Sequence, residues 1–313
     1  MSKFLNALRG ENLKSPPVFM MRQAGRYHAH YRKMKEKHTF EDICYSPKIA
    51  AEVAFGPIET FGFDAAILFS DILFILKAVG YGVVFKPGPQ ITQSERKPID
   101  AMNFQGEAII ETKKLLGNVP IIGFVGGLAT VHYFLEKSGS CRKEHTKLED
   151  FIAEIYEFYI ANILLQASAG ADCIAIFDSK THNTKPHYWQ IVQSVIDKIK
   201  AKTTLPIIYY SNTEKHLDLQ NVHCFGVTAE FDIVRHLKAS TQKGFYGNFD
   251  EKILTENPDI CKKKIDDYLG NILQNTTQEH RKHWVASLGH GVVKESFEEN
   301  VAYFVKAVRE MFA

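Results

Sequence analysis

Arg22 and Arg26 stand four residues apart around Gly25, just after the apolar run 18–21. A guanidinium carries a permanent charge and a rigid donor fork that matches carboxylate or phosphate, so the pair is suited to an anionic ligand. Asp71 follows another apolar run, 65–69, and offers the opposite chemistry. A carboxylate can accept several N–H donors at once, and its charge can stabilise a cation that develops nearby. His290 lies between two glycines after the run 284–287, and an imidazole titrates near neutrality unless its surroundings shift it. Tyr133, Ser179, Ser211, Asn212, Thr228, Asn248 and Asp250 add hydroxyls, amides and a carboxylate in comparable places. Each alone has a plainer reading: a solvated turn at the arginines, a helix or turn cap at Asp71, Asp178 or Ser179, a tight turn at His290, a core position for Tyr133. They make chemistry only if a fold gathers them.

The elements that would gather them alternate along the whole chain. Eight principal strands are expected at 18–21, 65–69, 119–124, 172–177, 205–210, 222–226, 244–246 and 284–287. The run 65–69 is apolar without alternation, as suits a parallel strand covered on both faces. Helices are expected at Lys3–Arg9, Pro47–Phe61, 72–79, 107–116, 130–137, 148–167, 186–201, 230–238, 258–272 and 297–312. In the longest, Leu148, Phe151, Ile152, Ile155, Tyr159 and Ile163 recur at spacings of three and four. Segment 82–85 reads as an extra strand or hairpin arm ended by Lys86-Pro87-Gly88-Pro89, and 138–147 as a polar loop. This order predicts an α/β chain folded as a (β/α)8 TIM-type barrel, one domain over 1–313, distorted by a hairpin near 80–90. A doubly wound open sheet is the alternative, since alternation does not show closure. In a barrel the strand ends share one mouth. That mouth would collect Arg22, Arg26, Asp71, Tyr133, Asp178, Ser179, Ser211, Asn212, Thr228, Asn248, Asp250 and His290.

Composition excludes several classes. The 313 residues hold 38 basic and 36 acidic side chains, a net +2, so no global field points to nucleic acid. The charge is nevertheless uneven: Arg22, Arg26, Arg32, Lys33, Lys35 and Lys37 crowd 22–38 against Glu36. That run reads as a solvated face or as a local field over an anion. Five dispersed cysteines without a CxxC pair suggest reduced thiols and a cytoplasmic setting. No apolar run approaches the roughly 20 residues that span a bilayer, so no membrane partner is expected. The glycines at 123, 126 and 127 do not form GxGxxG, and neither a phosphate-binding GxxxxGK[ST] nor a GxSxG occurs. His28/His30 and His280/His283 lack accompanying Cys or acidic ligands at useful spacing, so no metal site is expected. Cys141 and Cys224 have no adjacent base.

Five ordered motifs carry a resemblance. The run Pro16-Pro17-Val18-Phe19-Met20-Met21-Arg22-Gln23-Ala24-Gly25-Arg26-Tyr27 closely resembles the N-terminal signature of the uroporphyrinogen decarboxylase family. The segments 65–73, Ala169-Gly170-Ala171-Asp172 with Ile176-Phe177-Asp178-Ser179, Gly247-Asn248-Phe249-Asp250 and Leu288-Gly289-His290-Gly291 resemble later signatures in the same order. The resemblance implies a (β/α)8 barrel and a homodimer. It implies decarboxylation of the four acetate arms of uroporphyrinogen III to coproporphyrinogen III, without metal or organic cofactor. It places Asp71 and Arg22 as catalytic residues. Substrate binding falls to Arg22, Arg26, Asp71, Tyr133, Ser179 and His290, with Gln23, Ile67 and Phe177 shaping the site.

The chain departs from the family pattern in four places. His28-Ala29-His30 replaces Leu-Pro-Glu, and Gly127-Leu128-Ala129-Thr130 replaces Ala-Pro-Trp-Thr with one residue fewer before Tyr133. Glu214-Lys215-His216 takes the place of a Gly-His pair, and Thr228-Ala229 that of Asp-Trp. Two alternatives follow. One is a tetrapyrrole-binding relative with weakened catalysis. The other is a zinc-dependent corrinoid methyltransferase on the same barrel, whose His-x-Cys pair the adjacent His223-Cys224 does not reproduce.

Overall fold

A parallel ladder organises the chain. In the computed structural model, which describes residues 2–12, 15–86, 88–239 and 242–313, seven strands share one sheet. They are β1 (Ala66–Ile67), β4 (Ile121–Gly126), β5 (Cys173–Asp178), β6 (Ile207–Ser211), β7 (Cys224–Gly226), β8 (Gly244–Phe249) and β9 (Trp284–Leu288), paired in that order. Every residue of β4, β5, β8 and β9 is buried, as parallel strands flanked by helices must be.

The eighth stave is the segment around Val18. It forms an isolated parallel bridge to Ala286 where a full strand was expected. On the β9 side, Ala286 N–H donates to Pro17 O (2.9 Å) and Phe19 N–H to Ala286 O (3.2 Å). On the β1 side, Asp64 N–H donates to Val18 O (2.9 Å), while Val18 N–H donates to the Asp64 side chain (2.8 Å). Pro16 and Pro17 bring no N–H to a ladder, and a carboxylate stands in for a strand carbonyl. The segment therefore closes the barrel without extending a regular strand.

The expected hairpin is present and antiparallel: β2 (Tyr81–Phe85) pairs with β3 (Pro89–Gln93). Pro87, within the Lys86–Pro89 stretch expected to end its first arm, lies outside the described residues. Tyr81 OH meets His145 Nδ1 (2.7 Å), and His145 Nε2 meets Glu154 Oε2 (2.6 Å), which pins the hairpin to the segment 138–147 and the helix Leu148–Ser168. That segment contains a short 3-10 turn, Lys143–His145.

Three helices were not expected: Ala29–Lys37, Phe40–Tyr45 and Gln278–Arg281. The first buries only Tyr31 and Met34, so its apolar stripe is too thin to read. The second begins with a reciprocal Thr39/Asp42 capping box. The expected helix at 72–79 is a 3-10 helix, Phe74–Val79, ended by Gly80 in the left-handed region (φ 79°). The His28-Ala29-His30 departure has a packing role. His28 Nε2 lies 3.0 Å from Thr60 Oγ1 and its ring meets Phe61. The His30 ring occupies the space where Gly56 has no Cβ. The pair thus seats Ala29–Lys37 on Pro47–Phe61.

Asp64→Ala removes the acceptor of Val18 N–H in the closing stave. We expect a loss of about 1–3 kcal/mol, measured by denaturant unfolding, with Asp64→Asn costing less because an acceptor remains. Equal stability of wild type and Asp64→Ala would show that closure does not depend on this bond.

Candidate active site

The chain turns sharply after Met21. Arg22 has φ 61°, in the left-handed region that few residues other than glycine adopt. Two neighbours impose it. Val292 N–H donates to Met21 O (2.9 Å), and Gln23 Nε2 donates to Ala65 O (3.2 Å). The turn is thereby stitched to the last and second staves. The Arg22 stem crosses Gly291 so closely that a Cβ there would lie 2.6 Å from Cδ and 2.8 Å from Cγ. Gly291 is therefore required by close approach.

Arg22 brings its charge to bear on three groups: Asp71, Tyr210 and His290. Asp71 follows β1, and its Oδ1 accepts Leu73 N–H (2.8 Å), so it does cap the turn it begins. Burial pushes its carboxyl up to about 6; the Leu73 bond and Arg22 pull against that. At pH 7 it is mainly ionised. His290 was expected to titrate near neutrality, but burial and then Arg22 lower its pKa, so it is neutral there. Tyr210, at the end of β6, supports it. Its hydroxyl donates to Gly289 O (3.0 Å) and its ring stands edge-on to the His290 ring at 6.2 Å.

The third and fourth mouth loops are joined by Asp178, the last residue of β5, which is fully buried. Its Oδ1 accepts from Thr130 N (3.0 Å) and Thr130 Oγ1 (2.8 Å), and its Oδ2 from the hydroxyls of Tyr209 (2.7 Å) and Tyr188. Burial raises its pKa despite these four donors. The Asp178 side chain fills the space that a Cβ at Gly127 would take. This network anchors the first turn of the helix Leu128–Lys137 and so sets the position of Tyr133. Thr130, the position of Gly127-Leu128-Ala129-Thr130 that keeps the family residue, makes the joint.

The remaining expected residues divide. Ser179 is half-buried in the turn after β5, and Ile67 is half-buried in β1. Phe177 is buried in β5, its ring 5.7 Å from Phe124 and its register partner Tyr210. Gln23 is fully buried and braces backbone through Ala65. Arg26 is exposed, and its charge reaches Tyr31, whose ring packs on Phe69 two residues before Asp71. The other cations of 22–38 serve elsewhere. Arg32 donates to the carbonyls of Arg26 (3.1 Å) and Tyr27, and Lys33 and Lys37 are exposed on their helix.

Sequence reasoning missed Tyr210, Gly291 and the anchoring role of Asp178. Tyr210 is one apolar-looking residue in a buried strand, and only its register beside Phe177 and its hydrogen bond reveal it. Across the mouth, a cavity of about 360 Å³ is lined by Ser211, Asn212, Thr213, His216, Thr228 and Glu230 among others. His216, in the Glu214-Lys215-His216 departure, is buried and binds Gly226 O through Nε2 (3.1 Å); burial lowers its pKa to about 4. Asn248 ties β8 to the loop after β7 by donating to Thr228 O (2.9 Å) and Phe231 O (2.6 Å).

Gly291→Ala should displace the Arg22 stem. We expect kcat/KM to fall at least tenfold, with unfolding free energy changed by no more than about 1–3 kcal/mol. Steady-state kinetics alongside thermal unfolding decide this, and wild-type kinetics would show that the Arg22 position is not critical.

Comparison with known proteins places the whole chain in one family. The family model described as Uroporphyrinogen decarboxylase (URO-D) matches residues 1–311. A uroporphyrinogen decarboxylase of Picrophilus torridus is 31% identical, covering 98% of this chain and 98% of that protein. One of Carboxydothermus hydrogenoformans is also 31% identical, over 98% and 96%. Among solved structures, a methyltransferase from Methanosarcina mazei superposes with a TM-score of 0.76 at 19% identity, covering 99% of this chain and 98% of that one, which speaks to the fold alone. The barrel is thus shared more widely than its chemistry. With its signatures at the barrel mouth and a family match from end to end, the chain belongs to the uroporphyrinogen decarboxylase family.

Proposed function

We propose that this chain is a carboxy-lyase that removes the four acetate carboxyls of uroporphyrinogen III to give coproporphyrinogen III, acting as a one-domain homodimer in the cytoplasm. The observation that carries the reading is the Asp71 carboxylate after β1, within the field of Arg22, which also reaches His290. Relatives named uroporphyrinogen decarboxylase support the substrate.

The chemistry fits these groups. Protonation of a pyrrole carbon makes the ring a cationic electron sink. The bond from the acetate methylene to its carboxyl then breaks, CO2 leaves, and the electron pair enters the ring. A proton added to the methylene completes the methyl group, and loss of the proton first placed on the ring carbon restores the pyrrole, so one proton is consumed for each CO2 released. The macrocycle does what a cofactor does elsewhere, so the protein supplies placement, charge and proton access. Ionised Asp71 accepts the converging pyrrole N–H donors and offsets the cation as it forms. Arg22 and Arg26 hold carboxylate arms through their donor forks. A guanidinium holds its proton too firmly to serve as a free acid, so the part of Arg22 is grip and orientation. Neutral His290, Tyr133 and Ser179 complete the hydrogen bonding of the arms.

The methyltransferase reading has the wrong geometry. Cys224 opens β7 and His223 precedes it, at the end of the strand away from the mouth. His223 Nδ1 accepts Ile207 N–H there (3.3 Å), and the Cys224 thiol is fully buried.

Incubation of the purified chain with uroporphyrinogen in the dark under reducing conditions should yield coproporphyrinogen. Tight binding without product would instead identify the weakened binder. A second test follows from the raised pKa of Asp71. Below about 6 its proton removes the charge and turns one acceptor oxygen into a donor, so kcat/KM should fall as pH drops through that value. Asp71→Asn should lose about a hundredfold or more, and its residual rate should lack that limb. A wild-type limb near the ordinary carboxylate range would sink this role for Asp71.

A further inference from the structure

Lys180 brings a further cation to the mouth. It follows Ser179 in the turn after β5 and is half-buried. Its backbone is not free to drift. Lys180 N–H donates to Thr130 Oγ1 (3.1 Å), the hydroxyl that in turn donates to buried Asp178 (2.8 Å). The network that sets Tyr133 therefore sets Lys180 as well. The Lys180 ammonium lies 5.1 Å from the centroid of the Tyr133 ring, and its charge is felt at His290.

What this ammonium lacks is a carboxylate. Nearby in sequence, Lys185 and His187 both pair with Glu149, at 3.4 and 2.9 Å. Among the described residues Lys180 makes no such ion pair. Its face contact with an aromatic ring gives modest attraction, and the other charge beside that ring, Lys137 at 5.8 Å, is positive. The acidic groups of the mouth act on the other flank, where Glu251 and Glu230 raise the pKa of Tyr210. A half-sheltered ammonium on a pinned backbone, with Lys137 beside the same ring, is uncompensated until an anion arrives.

We propose that Lys180 is an additional substrate-binding residue: with the Tyr133 hydroxyl, its ammonium grips one carboxylate arm of the porphyrinogen on the β5 side of the mouth, across from Arg22. This rests on the site being a porphyrinogen site. It makes the grip two-sided. Arg22 and Arg26 hold arms from the first stave, and Lys180 holds one from the fifth, so the ring is suspended over Asp71 instead of being pulled to one edge.

The test uses the full chain as Lys180→Met, Lys180→Arg and, as a control for net charge, Lys185→Met on the exposed side of Glu149. Binding of uroporphyrin, the oxidised ring that is not turned over, is measured by fluorescence, and KM and kcat are measured with uroporphyrinogen. Lys180→Met should raise Kd and KM at least fivefold, with a smaller change in kcat. Lys180→Arg and Lys185→Met should stay within twofold of wild type. Three outcomes would overturn the proposal: unchanged affinity in Lys180→Met, an equal loss in Lys185→Met, or no rescue by Lys180→Arg. Failure of the underlying reading is separate, because then the wild-type chain itself would neither bind uroporphyrin nor convert uroporphyrinogen.

Discussion

Closure of the barrel through its weakest stave is the constraint on which the site depends. Residues 17–19 join β9 by two backbone hydrogen bonds, and Met21 joins Val292 by a third. These bonds place Arg22, near the start of the chain, against Gly291 and beside His290, near its end. The other flank is held by Asp64, whose backbone and side chain both serve Val18. A short stave with few ladder bonds costs ladder regularity, but it frees the chain to turn at Arg22 and aim a guanidinium inward. Strain at that residue is tolerated because both sides of the turn are tied down.

Charge at the mouth follows from the same enclosure. Burial drives every ionisable group toward its neutral form. It raises Asp71 to about 6 and lowers His290. The two shifts leave different states at neutral pH: a carboxylate that remains largely charged and an imidazole that does not. Arg22 reinforces both, stabilising the anion and disfavouring a second cation. The site therefore sets the Asp71 anion beside the Arg22 cation, a pattern suited to a ring that carries acid arms outside and N–H donors inside.

Behind these groups is a second set of buried polar residues that touch no ligand position but decide where the site residues stand. Asp178 joins the ends of β5 and β6 and the helix after β4 through Thr130, Tyr209 and Tyr188. Tyr210 holds the His290 turn, and Asn248 holds the loop after β7. Fully satisfied buried networks of this kind fix geometry at high cost if broken. The plain reading of Asp71 as a cap and the functional one are both met, since one oxygen caps Leu73 and the carboxylate still faces the mouth field.

Much of this was legible without the fold. The order of the strands, most of the helices and the hairpin near 80–90 follow from local signals, apolar runs and their period, and the same runs marked Arg22, Asp71 and His290 as polar residues that end or follow them. Local signals fail where a property belongs to contacts between distant segments. The first stave looked like a strand because it is apolar, yet its pairing depends on prolines and on Asp64. The helix Ala29–Lys37 was hidden because it buries two residues. Lys180, Tyr210 and Gly291 carry no mark of their own in the chain. A lysine, a strand tyrosine and a turn glycine become part of a site only through what closure brings beside them, and the shift of each pKa likewise waits on burial that no single residue specifies.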